Sequence, residues 1–295
     1  MASSVTSSPL QRLRGLLQPG LSARLTLVGL GITLVFVLAA LLAPVMQGAG
    51  LVQNPTASLV NPIHHPPSAE HWFGTSQAGY DVFSRTLFGA QAALKVVLLA
   101  TLLSLIVGVP LGLVSGYLGG WLDRLLLFLM DTLYTLPGLL LSITLAFVVG
   151  RGLLNAALAL CVAYVPQYYR VVRNQTVSVK SQLFVEAAQA MGASTWKIVS
   201  RYLFLNVIPS VPVLFTLNAA DAVLVLGGLG FLGLGLPPTT PEWGQDLQQA
   251  LGALPTGIWW TALFPGLALT LLVVGLSLLG EGLNEWLNPK GDGLI

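Results

Sequence analysis

Long apolar stretches separated by shorter polar segments dominate this chain. Because an α-helix rises about 1.5 Å per residue, roughly 20 apolar residues can cross the hydrocarbon core of a bilayer. Six stretches are long enough, at residues 25–46, 91–117, 124–149, 153–170, 207–235 and 259–281. The pattern therefore predicts an all-α membrane protein with six transmembrane helices.

The remaining segments divide the chain into four regions. We predict an N-terminal tail, a first helix with a long polar loop, a five-helix core and a C-terminal tail, at residues 1–24, 25–90, 91–281 and 282–295. Only 8% of the 295 residues are charged, whereas soluble domains carry about 25%. The first stretch is longer than the apolar region of a signal peptide, so we expect a retained helix rather than a cleaved leader.

The distribution of positive charges predicts the orientation of the helices. With the N-terminus inside, ten cations fall on the inner side: Arg12, Arg14, Arg24, Arg124, Arg170, Arg173, Lys180, Lys197, Arg201 and Lys290. Only Arg85, Lys95 and Arg151 fall on the outer side. Inner loops of membrane proteins are enriched in Lys and Arg, so both termini are expected in the cytoplasm. The net charge of +2 gives no reason to expect nucleic-acid binding.

Three of the predicted spans carry features beyond hydrophobicity. Small residues recur every four positions in the second span, at Gly108, Gly112, Gly116 and Gly120. Such spacing lets another helix approach closely, and packing within one subunit is favoured over a homodimer contact. Pro137 is expected to bend the third span. Asp131 and Asp221 must face protein or water, so each is a candidate for a translocation path or for a packing contact.

One segment breaks the apolar pattern, residues 184–209 (FVEAAQAMGASTWKIVSRYLFLNVIP). Its first half has apolar positions at helical spacing, at Phe184, Ala187, Ala188 and Met191. Ser181 is placed to cap this helix, Gly192 suits the positive φ that follows a helix end, and Ser194 can cap a second helix. The apolar face of that second helix is expected at Ile198, Val199, Tyr202 and Leu203.

We call residues 181–205 the knob, and the charge bias places it in the cytoplasm. Glu186 suits the N-terminal half of the first helix electrostatically and could pair with a cation of a partner. A rigid two-helix projection of this kind is suited to being held by another protein.

The sequence lacks the motifs that ATP hydrolysis, dinucleotide binding, metal binding and nucleophilic catalysis require. No G-x-x-x-x-G-K-[ST] motif occurs, so the chain is not expected to hydrolyse ATP. The GLGFLG of residues 228–233 ends a predicted span instead of following a strand, which argues against a dinucleotide site. His64, His65 and His71 share one loop without a completing ligand, so no metal site is predicted, and no nucleophile–base pair suggests catalysis. Cys161, the one cysteine, cannot form an intrachain disulfide.

The knob and three further segments resemble one protein family. The EAAQAMG of residues 186–192 matches the E-A-A-x-x-x-G signature of permease subunits of bacterial ATP-binding-cassette importers. HWFGTSQAGYDVFSRTLFGA (71–90), LGFLGLGLPPTTPEWG (229–244) and FPGLALTLLVVGLSLLGEGLNEWLNP (264–289) resemble the dipeptide, oligopeptide and nickel branch, specifically its second, shorter permease subunit. The likeness extends over about residues 25–290.

The resemblance implies a non-enzymatic, multi-pass subunit of the bacterial inner membrane that forms half of a translocation pathway. Its implied partners are a second homologous permease, two ATPase subunits that bind ATP and Mg, an extracytoplasmic substrate-binding protein and membrane lipid; no cofactor is implied in this chain. The coupling helix between spans four and five would dock on an ATPase through Glu186, Ala187, Ala188, Met191, Gly192 and Ser194. The binding protein would contact Gly235, Pro237, Pro238 and Trp243.

The chain departs from the branch at Ser76 and Tyr80, where one acidic and one basic residue are usual, and at Leu205, where proline is frequent. A peptide is the favoured cargo, with nickel chelates, glutathione-like molecules and opines as alternatives, because the binding protein largely sets selectivity. An ATP-independent carrier or channel is the alternative function, with Asp131 and Asp221 as its only candidate ion sites. A membrane-embedded enzyme is a third.

Overall fold

The computed structural model describes residues 21–287, and this part of the chain is built from helices. We number them α1 Leu21–Gly48, α2 Val82–Leu118, α3 Gly120–Thr135, α4 Gly138–Val149, α5 Leu153–Lys180, α6 Leu183–Ala190, α7 Thr195–Phe231, α8 Trp243–Ala250 and α9 Trp260–Leu287. Within the described range no strand forms; one isolated bridge joins Thr75 and Asp81. The cations Arg12, Arg14 and Lys290 and most of both predicted tails lie outside the described residues.

Four helices are long and apolar enough to cross a membrane. They are Ala23–Gly48, Val82–Leu118, Thr195–Phe231 and Trp260–Leu287, and the bent pair α3–α4 makes five if it is one span. These helices confirm an all-helical protein with the character of a membrane protein. The fourth predicted stretch, 153–170, lies in α5, which does not pass the same test; polar residues such as Asn155, Gln167 and Arg170 lower its hydropathy.

The glycine spacing of the second span is confirmed as a contact between α2 and α5. A Cβ on Gly108 would lie 2.9 Å from the carbonyl oxygen of Val165, and one on Gly112 would lie 2.8 Å from that of Tyr169. Gly116 approaches the backbone of α5 in the same way. Gly120 does not belong to this contact, because a Cβ added there would meet no atom within 4 Å and its φ of +67° starts α3.

The bend expected at Pro137 in the third predicted span, 124–149, is confirmed, but it divides the stretch into two helices. The chain forms two helices, α3 and α4, whose axes differ by 92°. Pro137 lies at the break with an extended ψ of 126°, and it precedes the first residue of α4. Proline has no backbone N–H to donate to the preceding turn, which explains why α3 ends here. Asp123 is the only residue of α3 that is buried.

Two helices begin earlier than the apolar pattern predicts. α2 starts at Val82, where the Asp81 side chain accepts a hydrogen bond from the Ser84 N–H at 2.8 Å, and not at residue 91. α7 joins the second helix of the knob to the fifth predicted span, and it ends at Phe231 instead of residue 235. Inside α7 the chain passes through a π-helical segment, Ile198–Leu203, and a 3₁₀ turn, Ile208–Ser210.

A layer of loop and short helix covers the end of the molecule opposite the knob. It is held by tryptophans: the Trp243 indole N–H donates to the Thr86 carbonyl at 2.9 Å, and that of Trp260 donates to the Thr75 carbonyl at 3.1 Å. Arg85 is almost fully buried and lies 2.7 Å from Asp246 of α8. The loop of residues 49–81 and α8 are therefore fixed to the helix ends below them.

Candidate functional site: a two-helix knob and a cavity between helices

The turn inside the knob has the geometry that its sequence predicts. Gly192 has a φ of +80°, its N–H donates to the Gln189 carbonyl at 2.9 Å, and the Ala193 N–H donates to the Ala188 carbonyl at 3.0 Å. This pair of bonds is the Schellman motif, which satisfies the last carbonyls of a helix. The Ser194 side chain accepts a hydrogen bond from the Lys197 N–H at the start of α7, as predicted.

The predicted cap at the start of the knob was wrong. Gln182, with extended backbone, precedes α6, and no side chain caps it. The Ser181 hydroxyl instead donates to the Ser178 carbonyl at 3.0 Å, because Ser181 still belongs to the end of α5. Side-chain spacing alone cannot tell a cap from a residue that closes the preceding helix.

The knob buries a different apolar face from the one its spacing suggests. Val185 and Ala188 of α6 are buried, together with Ile198 and Leu203 of α7. Of the predicted α6 positions, Ala188 alone is buried, while Phe184, Ala187 and Met191 face outward. Apolar residues lie on both sides of α6, so the periodicity could not identify the inner side. The second-helix face is confirmed, since Ile198 and Leu203 are buried and Val199 and Tyr202 are half-buried.

The outward side of the knob is unusually apolar for a polar end of a membrane protein. Leu183, Met191 and Trp196 are 82%, 79% and 78% exposed. Glu186 is exposed beside them, and within the described residues its carboxylate makes no hydrogen bond or ion pair. Exposed apolar side chains of this size are typical of a surface that contacts another protein or the membrane.

The knob is attached to the ends of α2 and α5. The Gln189 side-chain amide donates to the Tyr117 hydroxyl at 3.3 Å. The Lys180 ammonium donates to the carbonyls of Gly116 and Tyr117 at 3.0 and 3.1 Å, where it satisfies the C-terminal end of α2. Because α7 continues from the knob to Phe231, the knob is also continuous with one of the apolar helices.

A cavity of about 660 Å³, open to solvent on one side, lies between α4, α5, α7, α8 and α9. Most of its wall is apolar, and Leu247 of α8 closes part of it at the end opposite the knob. Three polar side chains line it: Tyr164, Gln167 and Asp221. The Tyr164 hydroxyl donates to the Asp221 carboxylate at 2.8 Å. Asp221 thus lines this cavity and is also hydrogen-bonded to α5, so both of its sequence-based interpretations remain predictions.

Asp131 is placed differently. Its carboxylate accepts a hydrogen bond from Arg170 at 2.6 Å, Arg170 also lies over the Tyr134 ring, and Asp131 is not part of the cavity wall. The structure therefore does not bring Asp131 and Asp221 into one site.

The sequence interpretation missed a polar cluster that joins α2, α3 and α5. Arg173 donates two hydrogen bonds to the Asp123 carboxylate, at 3.0 and 2.5 Å. The Ser115 hydroxyl donates to the same carboxylate at 2.5 Å and lies 2.7 Å from the Tyr169 hydroxyl. Tyr169 and Arg173 are four residues apart on α5, so helical spacing places them on one face, and that spacing could have marked this cluster.

At the opposite end, the four residues predicted to contact a binding protein differ in exposure. Pro237 and Pro238 are exposed, whereas Gly235 and Trp243 are buried. Trp243 packs against Gly89 and the Phe36 ring, so its side chain serves the fold. The contact role remains a prediction that rests on the two prolines.

Glu242 is a buried carboxyl group in the same region. It precedes α8 and accepts hydrogen bonds from the N–H groups of Gly244 and Gln245, both at 2.8 Å. Burial raises the pKa of Glu242 to about 7 against the opposing effect of these two bonds. Burial also raises the pKa of Asp246, although Arg85 opposes that shift. Among the described residues, no three His, Cys, Asp or Glu side chains lie close enough to hold a metal ion.

Comparison with known proteins places these features in context. The family model described as "binding-protein-dependent transport system inner membrane component" matches residues 108–291. The dipeptide transport system permease protein DppC of Alkalihalophilus pseudofirmus is 37% identical over 271 residues, which cover 90% of this chain and 86% of that protein. The glutathione transport system permease proteins GsiD of Escherichia coli O6:K15:H31 and Shigella boydii are each 39% identical over 231 residues, 78% of this chain and 76% of theirs.

Proposed function

The chain belongs to the family of binding-protein-dependent transport system inner membrane components. From this premise we propose that it is a subunit of an ATP-driven importer. In this proposal it forms half of the translocation pathway for peptides or small peptide-like solutes. The proposed cargo is based on the names of the relatives: one is a dipeptide permease and the others are glutathione permeases. Nickel chelates stay within the proposal as an alternative cargo of the same branch. The permease contributes the path and the coupling surface, and ATP and Mg are bound by partner ATPase subunits.

The proposed topology has six spans with both termini in the cytoplasm of a bacterial cell, and α5 is the least apolar of them. Two observations support it. Lys180 and Arg173 lie at the knob end of the bundle, where they contact Gly116 and Asp123. Arg151 lies at the other end, where it donates to the Gly233 carbonyl at 2.6 Å. The excess of cations predicted on the inner side supports a cytoplasmic position of the knob.

The coupling mechanism rests on one observation: an exposed apolar surface on the knob is rigidly joined to a helix that lines the cavity. An ATPase subunit would cover Leu183, Met191 and Trp196, while Glu186 would pair with a cation of that subunit. α7 runs from this surface to Asp221, 26 residues beyond Thr195, or about 39 Å along a helix. A displacement of the knob on nucleotide-driven ATPase closure would therefore move a wall of the cavity and switch it between outward and inward access.

Reconstituted complexes test the coupling role. Trp196→Ala removes a side chain that is 78% exposed, so the fold of this chain should tolerate it, whereas ATPase retention and ATP-dependent uptake should fall. Gly192→Ala should act in the same direction, because an alanine at this left-handed φ costs about 1–2 kcal/mol and distorts the turn. Trp72→Ala, at a 62% exposed tryptophan of the opposite end, is the matched control for ATPase retention.

Co-purification of the ATPase subunits and cargo uptake per ATP hydrolysed are the two measurements. Wild-type values for both Trp196→Ala and Gly192→Ala would refute the coupling role. Uptake by this permease pair without any ATPase would instead support the carrier alternative.

A further inference from the structure

Asp221 is a lone charge in the middle of an apolar helix. It is the eleventh of the 21 residues from Val211 to Phe231, and no other charged residue occurs between them. Each end of this segment is about 15 Å away, which places the carboxylate near the midplane if the helix crosses a bilayer. A charge at that depth is costly unless a partner compensates it, so such a residue is a candidate functional site.

Asp221 differs from the other aspartates in its partner. Of the five aspartates in the described range, four lie within 4.0 Å of a basic side chain: His71 with Asp81, Arg173 with Asp123, Arg170 with Asp131 and Arg85 with Asp246. Asp221 has the Tyr164 phenol, which donates one hydrogen bond to Oδ2. Within residues 21–287 no cation neutralises it, and Oδ1 accepts no hydrogen bond.

The surroundings of this carboxylate are those of a binding site. Asp221 faces the cavity of about 660 Å³, which is within the range of small-molecule sites and large enough for a short peptide. Its walls are otherwise mostly apolar, with Leu224, Phe231 and Leu269 among the lining residues. Gln167 adds an amide that can accept a hydrogen bond, one helical turn from Tyr164.

The chemistry of these groups selects a cation that donates hydrogen bonds. The Asp221 carboxylate attracts a positive group, although it is exposed in this chain and water screens part of that attraction. The Tyr164 hydroxyl already donates to one oxygen, so the ligand must approach Oδ1. A primary ammonium has three donors and no acceptor, which matches one carboxylate oxygen together with the Gln167 carbonyl.

We propose that Asp221, oriented by Tyr164, is a transient site for a primary ammonium group of the cargo, as the α-ammonium of a peptide carries. The proposal rests on the proposed function, because it identifies the cavity with the translocation path. A single carboxylate also suits transport, since a site in a path must release what it binds.

Uptake by the complete importer tests the proposal. The complex, with its binding protein and ATPases, is reconstituted in proteoliposomes and supplied with alanyl-alanine or lysyl-alanine. Asp221→Asn keeps the size of the side chain and removes its charge, so it should lower uptake by about tenfold or more, the effect of losing a hydrogen bond to a charged group. Asp221→Glu should restore most of the uptake, and Tyr164→Phe should cause a smaller loss.

The two peptides separate the sources of the ammonium. An equal loss for both peptides assigns the site to the α-ammonium. A loss confined to lysyl-alanine assigns it to a side-chain ammonium. Wild-type uptake of both peptides by Asp221→Asn would overturn the proposal.

A second measurement does not depend on the cargo. In a Cys161→Ala chain, Leu224→Cys places a thiol in the cavity wall, and the purified complex is treated with 2-aminoethyl or 2-sulfonatoethyl methanethiosulfonate. Asp221 should accelerate labelling by the ammonium reagent relative to the sulfonate, and adding Asp221→Asn should lower that ratio about tenfold. If Asp221→Asn leaves the ratio of ammonium to sulfonate labelling unchanged, the proposal is overturned. That conclusion holds even if the substitution weakens retention of the second permease, since Asp221 would then serve subunit packing. Absence of ATP-dependent uptake by the wild-type complex, with the ratio shifted as expected, would count against the proposed cargo and not against this site.

Discussion

A single added methyl group at Gly112 tests the packing on which the cavity wall depends. Gly112→Ala places a Cβ 2.8 Å from the Tyr169 carbonyl oxygen, 3.0 Å from the Arg173 backbone nitrogen and 3.0 Å from the Val172 Cβ. Ordinary contact begins at 3.4 Å, so α2 and α5 must separate by roughly half an ångström. Two of the three neighbours are backbone atoms that cannot rotate away.

Gly31→Ala is the matched control. Gly31 lies inside α1, and no atom lies within 4 Å of its added Cβ. Both variants gain the same helix propensity, up to about 1 kcal/mol, so their difference isolates the contact. Overpacking of a close interface costs about 1–3 kcal/mol. For a chain of this size that corresponds to a melting temperature about 2–10 °C lower for Gly112→Ala than for Gly31→Ala.

The assay is thermal unfolding of the purified permease in detergent, with both variants at the same protein and detergent concentration. Equal melting temperatures for the two variants would refute the conclusion that the glycines allow α2 and α5 to touch. Uptake should fall with stability, because α5 carries Tyr164 of the cavity wall.

Two further perturbations follow from buried polar groups. Burial raises the pKa of Glu242 to about 7, so the folded protein binds this proton more tightly than the unfolded chain does. The contribution of Glu242 to stability is therefore complete below the ordinary pKa of about 4.5 and is lost as the pH rises to about 7, by at most ~3 kcal/mol. Glu242→Gln should make the dependence of melting temperature on pH shallower between pH 5 and 8. An unchanged dependence would contradict the raised pKa of Glu242. Asp123→Asn should lower the free energy of unfolding of the purified permease in urea by about 1–3 kcal/mol, since it leaves Arg173 without its carboxylate partner. Arg173→Met combined with Asp123→Asn should recover part of that loss, and additive effects would show that the two side chains do not interact.

The features that the sequence predicted correctly depend on residues close together along the chain. The turn at Gly192 and the cap at Ser194 follow from backbone rules that act within five residues, and both are present in the structure. The close approach at Gly108 and Gly112 was equally accessible, because small residues at a spacing of four leave one face of a helix open.

Contacts between residues that are far apart along the chain could not be predicted from the sequence. Arg85 and Asp246 are 161 residues apart, and Arg170 and Asp131 are 39 apart, so no local pattern links them. The break at Pro137 was expected only as a bend, because the 92° angle depends on what α3 and α4 pack against. The Asp221 site needed both kinds of information: hydropathy marks the lone carboxylate, but only the fold places Tyr164 beside it.

The sheltered position of α5 has a consequence for how the chain enters the membrane. A segment with this content of polar and charged residues partitions poorly into lipid when it is alone. Its Tyr168 and Tyr169 side chains are fully buried and its backbone is covered by the glycines of α2. If α5 crosses the bilayer as proposed, it must be inserted against α2 that is already in place, so biogenesis has an obligatory order. An insertion assay on α5 with and without the preceding helices would show it crossing only in their company, and independent insertion would contradict this order.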